Sequence, residues 1–63
     1  MARYATPCTN AEAYDIFIAL RDDMSIQGIA AVSSEYGVGL LTVETDSPLP
    51  QSLIDKYSLT EVT

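Results

Sequence analysis

Thr9-Asn10-Ala11-Glu12, followed by Ala13-Tyr14-Asp15-Ile16-Phe17-Ile18-Ala19-Leu20, is the stretch around which the rest of the chain can be placed. A Thr followed three residues later by Glu matches a capping box. The Thr9 hydroxyl can accept from the Glu12 amide, and the Glu12 carboxylate can accept from the Thr9 amide. Two of the donors that a helix start leaves without partners are then satisfied. Behind this start, Ala13, Ile16, Phe17, Leu20 and Met24 recur at three- and four-residue spacing and form one apolar stripe. Glu12, Asp15 and Asp22 fall on the opposite face, with Ala19 more lateral. The spacing predicts a helix over Asn10–Asp22.

Working outward, Ala2 to Thr6 reads as a short strand ended by Pro7, which cannot donate to a sheet ladder. Ile26 to Ser33 reads as a second strand. Ser34-Glu35-Tyr36-Gly37 follows as a hairpin connection, with Gly37 free to take a positive φ, and Val38 to Thr45 forms a third strand. Ser47-Pro48 opens a second helix, with Ser47 as N-cap and Pro48 at the first helical position. Pro50 still falls within that first turn, and Leu49, Leu53, Ile54 and Tyr57 form the apolar stripe. Lys56 suits the negative end of the helix dipole, and Leu59 to Val62 can close the sheet as a last strand. Residues 1–63 are thus expected to form one α+β domain with β-α-β-β-α-β element order. That order permits a small two-layer sandwich of ferredoxin-like type, a mostly antiparallel sheet with two helices on one face.

Alternation along the strands assigns faces. In the second strand, Ile26, Gly28, Ala30 and Val32 share one side, and Gln27, Ile29, Ala31 and Ser33 share the other, which is expected to point outward. In the third, Leu41 and Val43 face inward with Gly39 and Thr45, while Val38, Leu40, Thr42 and Glu44 face outward. The outer side then carries an apolar patch of Ile29, Ala31, Val38 and Leu40, and exposed apolar patches tend to mark contact sites.

Composition narrows the function. A chain of 63 residues buries only about 60% of the surface exposed when unfolded, and small scaffolds usually need a disulfide, a metal or a partner. Cys8 is the only cysteine and there is no histidine, so neither an internal disulfide nor an ordinary structural zinc site can form. Partner binding or oligomerisation remains, with a homodimer as one form. Nine acids against Arg3, Arg21 and Lys56 give a net charge of −6, which repels phosphate backbones and anionic membranes. Direct nucleic-acid and membrane partners are not expected; a basic protein surface fits better. No stretch resembles a signal-peptide core or an apolar run of ~18 residues, so a cytoplasmic location is the expectation.

Few residues offer chemistry. Cys8 stands before the first helix, where heavy-metal-associated domains keep a Cys-x-x-Cys pair. Here the run is Cys8-Thr9-Asn10-Ala11, and one thiolate makes a poor metal site. Glu44 and Asp46 are spaced to share a face but lack further oxygen ligands for calcium. Small tautomerases of about this size use an N-terminal proline base, and Ala2 follows Met1 here. With no His dyad and no phosphate loop, no enzyme activity, cofactor or metal is expected.

The leading expectation is a small acidic protein-interaction module of the kind used as viral or mobile-element inhibitors of a host protein. Asp15, Asp22, Asp23, Ile29, Tyr36, Val38 and Leu40 are its candidate contacts, Tyr36 as an aromatic anchor at the hairpin tip. A narrower version has Glu12, Asp15, Asp22 and Asp23 mimic nucleic-acid charge. The alternatives are a homo-oligomeric structural or small-ligand-binding module, and a protease-inhibitor or propeptide-like domain that uses Leu59 to Thr63 as an extended insert.

Overall fold

Both halves of the capping box form. The Glu12 amide donates to Thr9 Oγ1 at 3.2 Å, and the Thr9 amide donates to Glu12 Oε1 at 2.9 Å. A computed structural model describes residues 1–62 and shows six elements: β1 (Ala2–Pro7), α1 (Asn10–Ile26), β2 (Ala31–Gly37), β3 (Leu40–Thr45), α2 (Gln51–Lys56) and β4 (Thr60–Glu61). The strands form one antiparallel sheet in the order β2-β3-β1-β4.

Helix α1 runs four residues past the expected Asp22, and Gly28 explains where it stops. Gly28 takes φ +76°, its amide donates to the Ser25 carbonyl, and the Ile29 amide donates to the Met24 carbonyl at 2.8 Å. These two bonds make a Schellman motif with glycine in the left-handed position. Its customary apolar contact is present in the core as Met24 and Ile29. Ile26, Gln27 and Gly28, expected in the second strand, are therefore the end of the helix and its cap.

The second strand is displaced with it and runs from Ala31 to Gly37. The hairpin turn is Val38-Gly39, not Ser34–Gly37. Gly37 pairs with Leu40, and the two residues between them have φ of +55° and +72°. Two central residues with positive φ are what a type I′ hairpin requires, because its twist matches that of the strands. Valine is an unusual occupant, since its Cβ opposes the left-handed region.

Register separates the two sides of the sheet. On one side β1 contributes Tyr4 and Thr6, and β3 contributes Leu41, Val43 and Thr45, all buried. Beside them Ser34 pairs with Val43, and Tyr36 with Leu41. Ala13, Leu20 and Met24 of α1 and Leu53 of α2 join this side in a single core with Leu49 and Leu59. On the other side Arg3, Pro7, Ser33, Glu35 and Leu40 are exposed. An irregularity between Ala31 and Ser33 inserts Val32 without a partner and flips the alternation there. Ile29 and Ala31 consequently pack on the core, and their expected outward placement is corrected. For β3 the expected alternation of Leu41 and Val43 inward, Leu40, Thr42 and Glu44 outward agrees with the register.

Ser47 does not cap the second helix. Leu49 precedes Pro50, and the residue before a proline is pushed out of the helical region, so the helix starts only at Gln51 with Pro50 as N-cap. Its approach is held by one long-range and one local side-chain bond instead. The Leu49 amide donates to the buried Tyr4 hydroxyl at 3.0 Å, and Thr45 Oγ1 donates to the Ser47 carbonyl at 2.6 Å. At its far end Ser58, with φ +53°, takes the position that Gly28 has in α1, and the Leu59 amide donates to the Ile54 carbonyl. The final strand is two residues long, shorter than the expected Leu59–Val62, although the Val62 amide still reaches the Arg3 carbonyl. Of the C-terminal segment Leu59 to Thr63, Thr63 lies outside the described residues.

Candidate functional site

The residues singled out in the sequence divide into three groups. Asp15 and Asp22 are exposed on α1. Asp23 turns toward α2, and its Oδ2 accepts from Lys56 Nζ at 2.9 Å and from the Tyr57 hydroxyl at 2.6 Å. The Asp23 side chain is 26% exposed. The Lys56 hydrogen bond, then that of Tyr57, holds the Asp23 carboxyl below its ordinary range. Lys56 is raised, mainly by its bond to Asp23, and burial raises Tyr57, with the Asp23 bond adding to it. Asp23 thus joins the C-terminal ends of the two helices, while Asp15 and Asp22 carry no side-chain hydrogen bond among the described residues. The three acids do not form one free surface.

The second group lies at the hairpin. Val38 is fully exposed on the turn and Leu40 is 38% exposed beside it, whereas Leu41 on the opposite side of the sheet is 4% exposed. Tyr36 is not at the tip. It is half-buried against the core, and its hydroxyl donates to the Cys8 carbonyl at 2.8 Å. Ile29, the remaining candidate, also packs on the core.

The third group, Cys8, Glu44 and Asp46, makes hydrogen bonds within the fold, Cys8 through its backbone alone. The Cys8 amide donates to the Gly39 carbonyl, so Cys8 ties the start of α1 to the hairpin through both its amide and its carbonyl. Glu44 accepts from the Ser33 hydroxyl, and Asp46 accepts from the Ala30 amide at 3.0 Å. The spacing of Glu44 and Asp46 therefore serves two separate bonds to the segment around Ala30 and Ser33. Among the described residues no group of three or more Cys, Asp or Glu side chains gathers to hold a metal ion. Among the described residues no helix is long and apolar enough to cross a membrane.

A feature not foreseen in the sequence is a groove of about 270 Å³ between α1 and β2, lined by Ala13, Tyr14, Phe17, Tyr36 and Leu41, with Asn10, Ser34 and Glu35 as its polar members. Tyr14 projects from α1 with 71% of its surface exposed, although it lies off the stripe that marks the core face. Phe17 is half-buried and carries the Arg21 guanidinium 5.7 Å above its ring. The groove is legible in the sequence only through the position of β2, which lies at Ala31–Gly37 and not at the expected Ile26–Ser33. Compared with known protein families, with curated proteins and with solved structures, the chain shows no significant match.

Proposed function

We propose that this chain is a small acidic protein-binding module, with a ferredoxin-like arrangement, that works by covering a surface of another protein. The fold part of the reading is supported by the element order together with the sheet order β2-β3-β1-β4. The functional part rests on one observation: the side of the sheet away from the core carries Leu40 exposed next to a fully exposed Val38. Val38 holds a positive φ at a cost of roughly 1–2 kcal/mol. Val38 is fully exposed, so no packing among the described residues compensates that cost, and unexplained backbone strain is one motive for assigning a contact role. The charge of −6 favours a partner with a basic surface, with Asp15 and Asp22 as the acids free to meet it. Catalysis is left out of the reading because the sequence offers no histidine dyad and no phosphate-binding loop.

Affinity capture from extract of the source cells tests the proposal. Wild type should retain a defined protein in a salt-sensitive way. Leu40→Lys should retain it at least about tenfold less, with unchanged helical circular dichroism; Asp15→Lys/Asp22→Lys should slow its association. Equal retention by wild type and Leu40→Lys would overturn the assignment of this side.

A further inference from the structure

The two edges of the sheet are not alike. On one, β4 is only two residues long, and short edge strands are a common protection against pairing with another chain. On the other, β2 has seven residues and pairs with β3 alone. Among the described residues its far edge receives no backbone hydrogen bond. The irregularity at Val32 disturbs only its beginning, and Ser33–Gly37 continues in regular register, without proline or lysine. The groove lined by Tyr14, Phe17 and Tyr36 lies along this same strand, on the core side of the sheet.

We infer that the edge of β2 takes up an extended segment of a partner protein as a fifth strand, and that this segment alternates apolar with basic residues. The inference rests on the protein-binding reading and adds to the Leu40 side a second contact, at the sheet edge, that can fall while the first stands. A strand added beside Ser33–Gly37 would use the free backbone groups of β2, and its side chains would alternate between the two sides of the sheet. Those on the core side enter the groove beside Tyr14 and Phe17, which calls for apolar residues. Its volume is below the ~300–1,000 Å³ usual for small-molecule sites and suits single side chains. Those on the other side lie next to Ser33 and the exposed Glu35, where positive charge is complementary. A second copy of this chain would bring a further −6 to the interface, so charge favours the basic segment over self-pairing.

The probe is an end-capped octapeptide of alternating valine and lysine, titrated into the isotope-labelled full chain and followed by NMR. The amides of Ser33–Gly37 should shift and exchange more slowly, and the ring signals of Tyr14 and Phe17 should move. Methylating alternate peptide nitrogens, in the set facing β2, should weaken binding at least about tenfold, since the backbone bonds are lost. Tyr14→Lys and Glu35→Lys, both at exposed positions, should weaken it as well. Absence of binding up to millimolar peptide would overturn the inference, as would shifts centred on Arg3, Leu40 and Thr42 with the methylated peptide binding equally. In the latter case the protein-binding reading would stand and only the edge would fall. Concentration-dependent protection of the β2 amides without peptide would also overturn it, by showing that a second copy occupies the edge.

Discussion

Leu40 and Leu41 are neighbours in the chain with opposite roles. Leu41 meets Tyr36 and Thr6 across the sheet on the side that holds the core, and Leu40 meets Gly37 and Pro7 on the other side, where Ala5 is the one buried hydrophobic residue among the described residues. The core side is filled by residues whose polar atoms are also used: the Tyr4 hydroxyl binds the Leu49 amide, and the Thr6 and Thr45 hydroxyls bind carbonyls of Tyr57 and Ser47. No buried side-chain polar atom lacks a partner among the described residues. The other side has charged, small and apolar residues in mixture and a strained valine at its corner. One side is thus explained by folding; on the other, Val38 and Leu40 stay exposed.

Removing a polar bond from the core side should have the largest of three graded effects. Tyr4→Phe leaves the Leu49 amide without its partner where α2 is approached, and should cost about 1–3 kcal/mol in denaturant unfolding. For a domain of this size, whose whole stability is about 3–9 kcal/mol, that is a substantial fraction. A loss indistinguishable from zero would mean that the approach to α2 is not held by this bond. On the far corner the sign should reverse. Val38→Asn places a residue that tolerates positive φ in the turn and should stabilise the hairpin by up to about 1 kcal/mol, read from the same unfolding curves. If Val38 contacts a partner, the same variant binds less well while folding better.

The smallest effect concerns the contact between the two helix ends. Asp23 is depressed in the folded state by Lys56 and Tyr57, so its contribution is complete above the unfolded carboxyl value of about 4 and is lost as pH falls through its lower folded value. Glu12, lowered by the Thr9 amide, behaves in the same direction. Asp23→Asn should flatten the acid limb of stability against pH, with Glu12 leaving a residual slope. The raised Lys56 and Tyr57 work in the opposite sense: their contribution is present below about pH 10 and is lost as pH rises through their folded values. An acid limb unchanged in Asp23→Asn would show that the contact does not persist in solution. Reversal of Asp23 to Lys, attractive for the helix dipole alone, should destabilise rather than stabilise, because it would face Lys56.

The capping box and the apolar stripe of α1 were legible because both are local: four residues supply the cap, and a fixed period supplies the stripe. The end of the same helix is equally local, but the alternation of Ile26, Gly28, Ala30 and Val32 also fits a strand and masks Gly28 as the left-handed residue that closes the helix. That one reading displaced β2, moved the hairpin from Val38-Gly39 to Ser34–Gly37, and with the insertion at Val32 inverted Ile29 and Ala31. The α2 start failed for another reason. Ser47-Pro48 is a good local signal, but Leu49 before Pro50 excludes helix there, and the entry is set by Tyr4, distant in sequence. Of the candidate contacts, the exposure of Leu40 follows from alternation along β3, whereas Val38, expected in that strand, is exposed because it forms the turn. The engagement of Asp23 and Tyr36 could not be read, because their partners Lys56, Tyr57 and Cys8 are long-range.

The most direct measurement of the division between the two sides is circular dichroism and thermal unfolding of Leu40→Lys and Leu41→Lys, side by side. Lysine at position 41 would put an unpaired charge into the core and should leave the chain unfolded. Lysine at position 40 should retain the helical signal and unfold within about 0.5 kcal/mol of wild type, as a substitution at an exposed site does. Unfolding of Leu40→Lys, or a folded Leu41→Lys, would contradict the assignment of the sides and with it the surface proposed for binding.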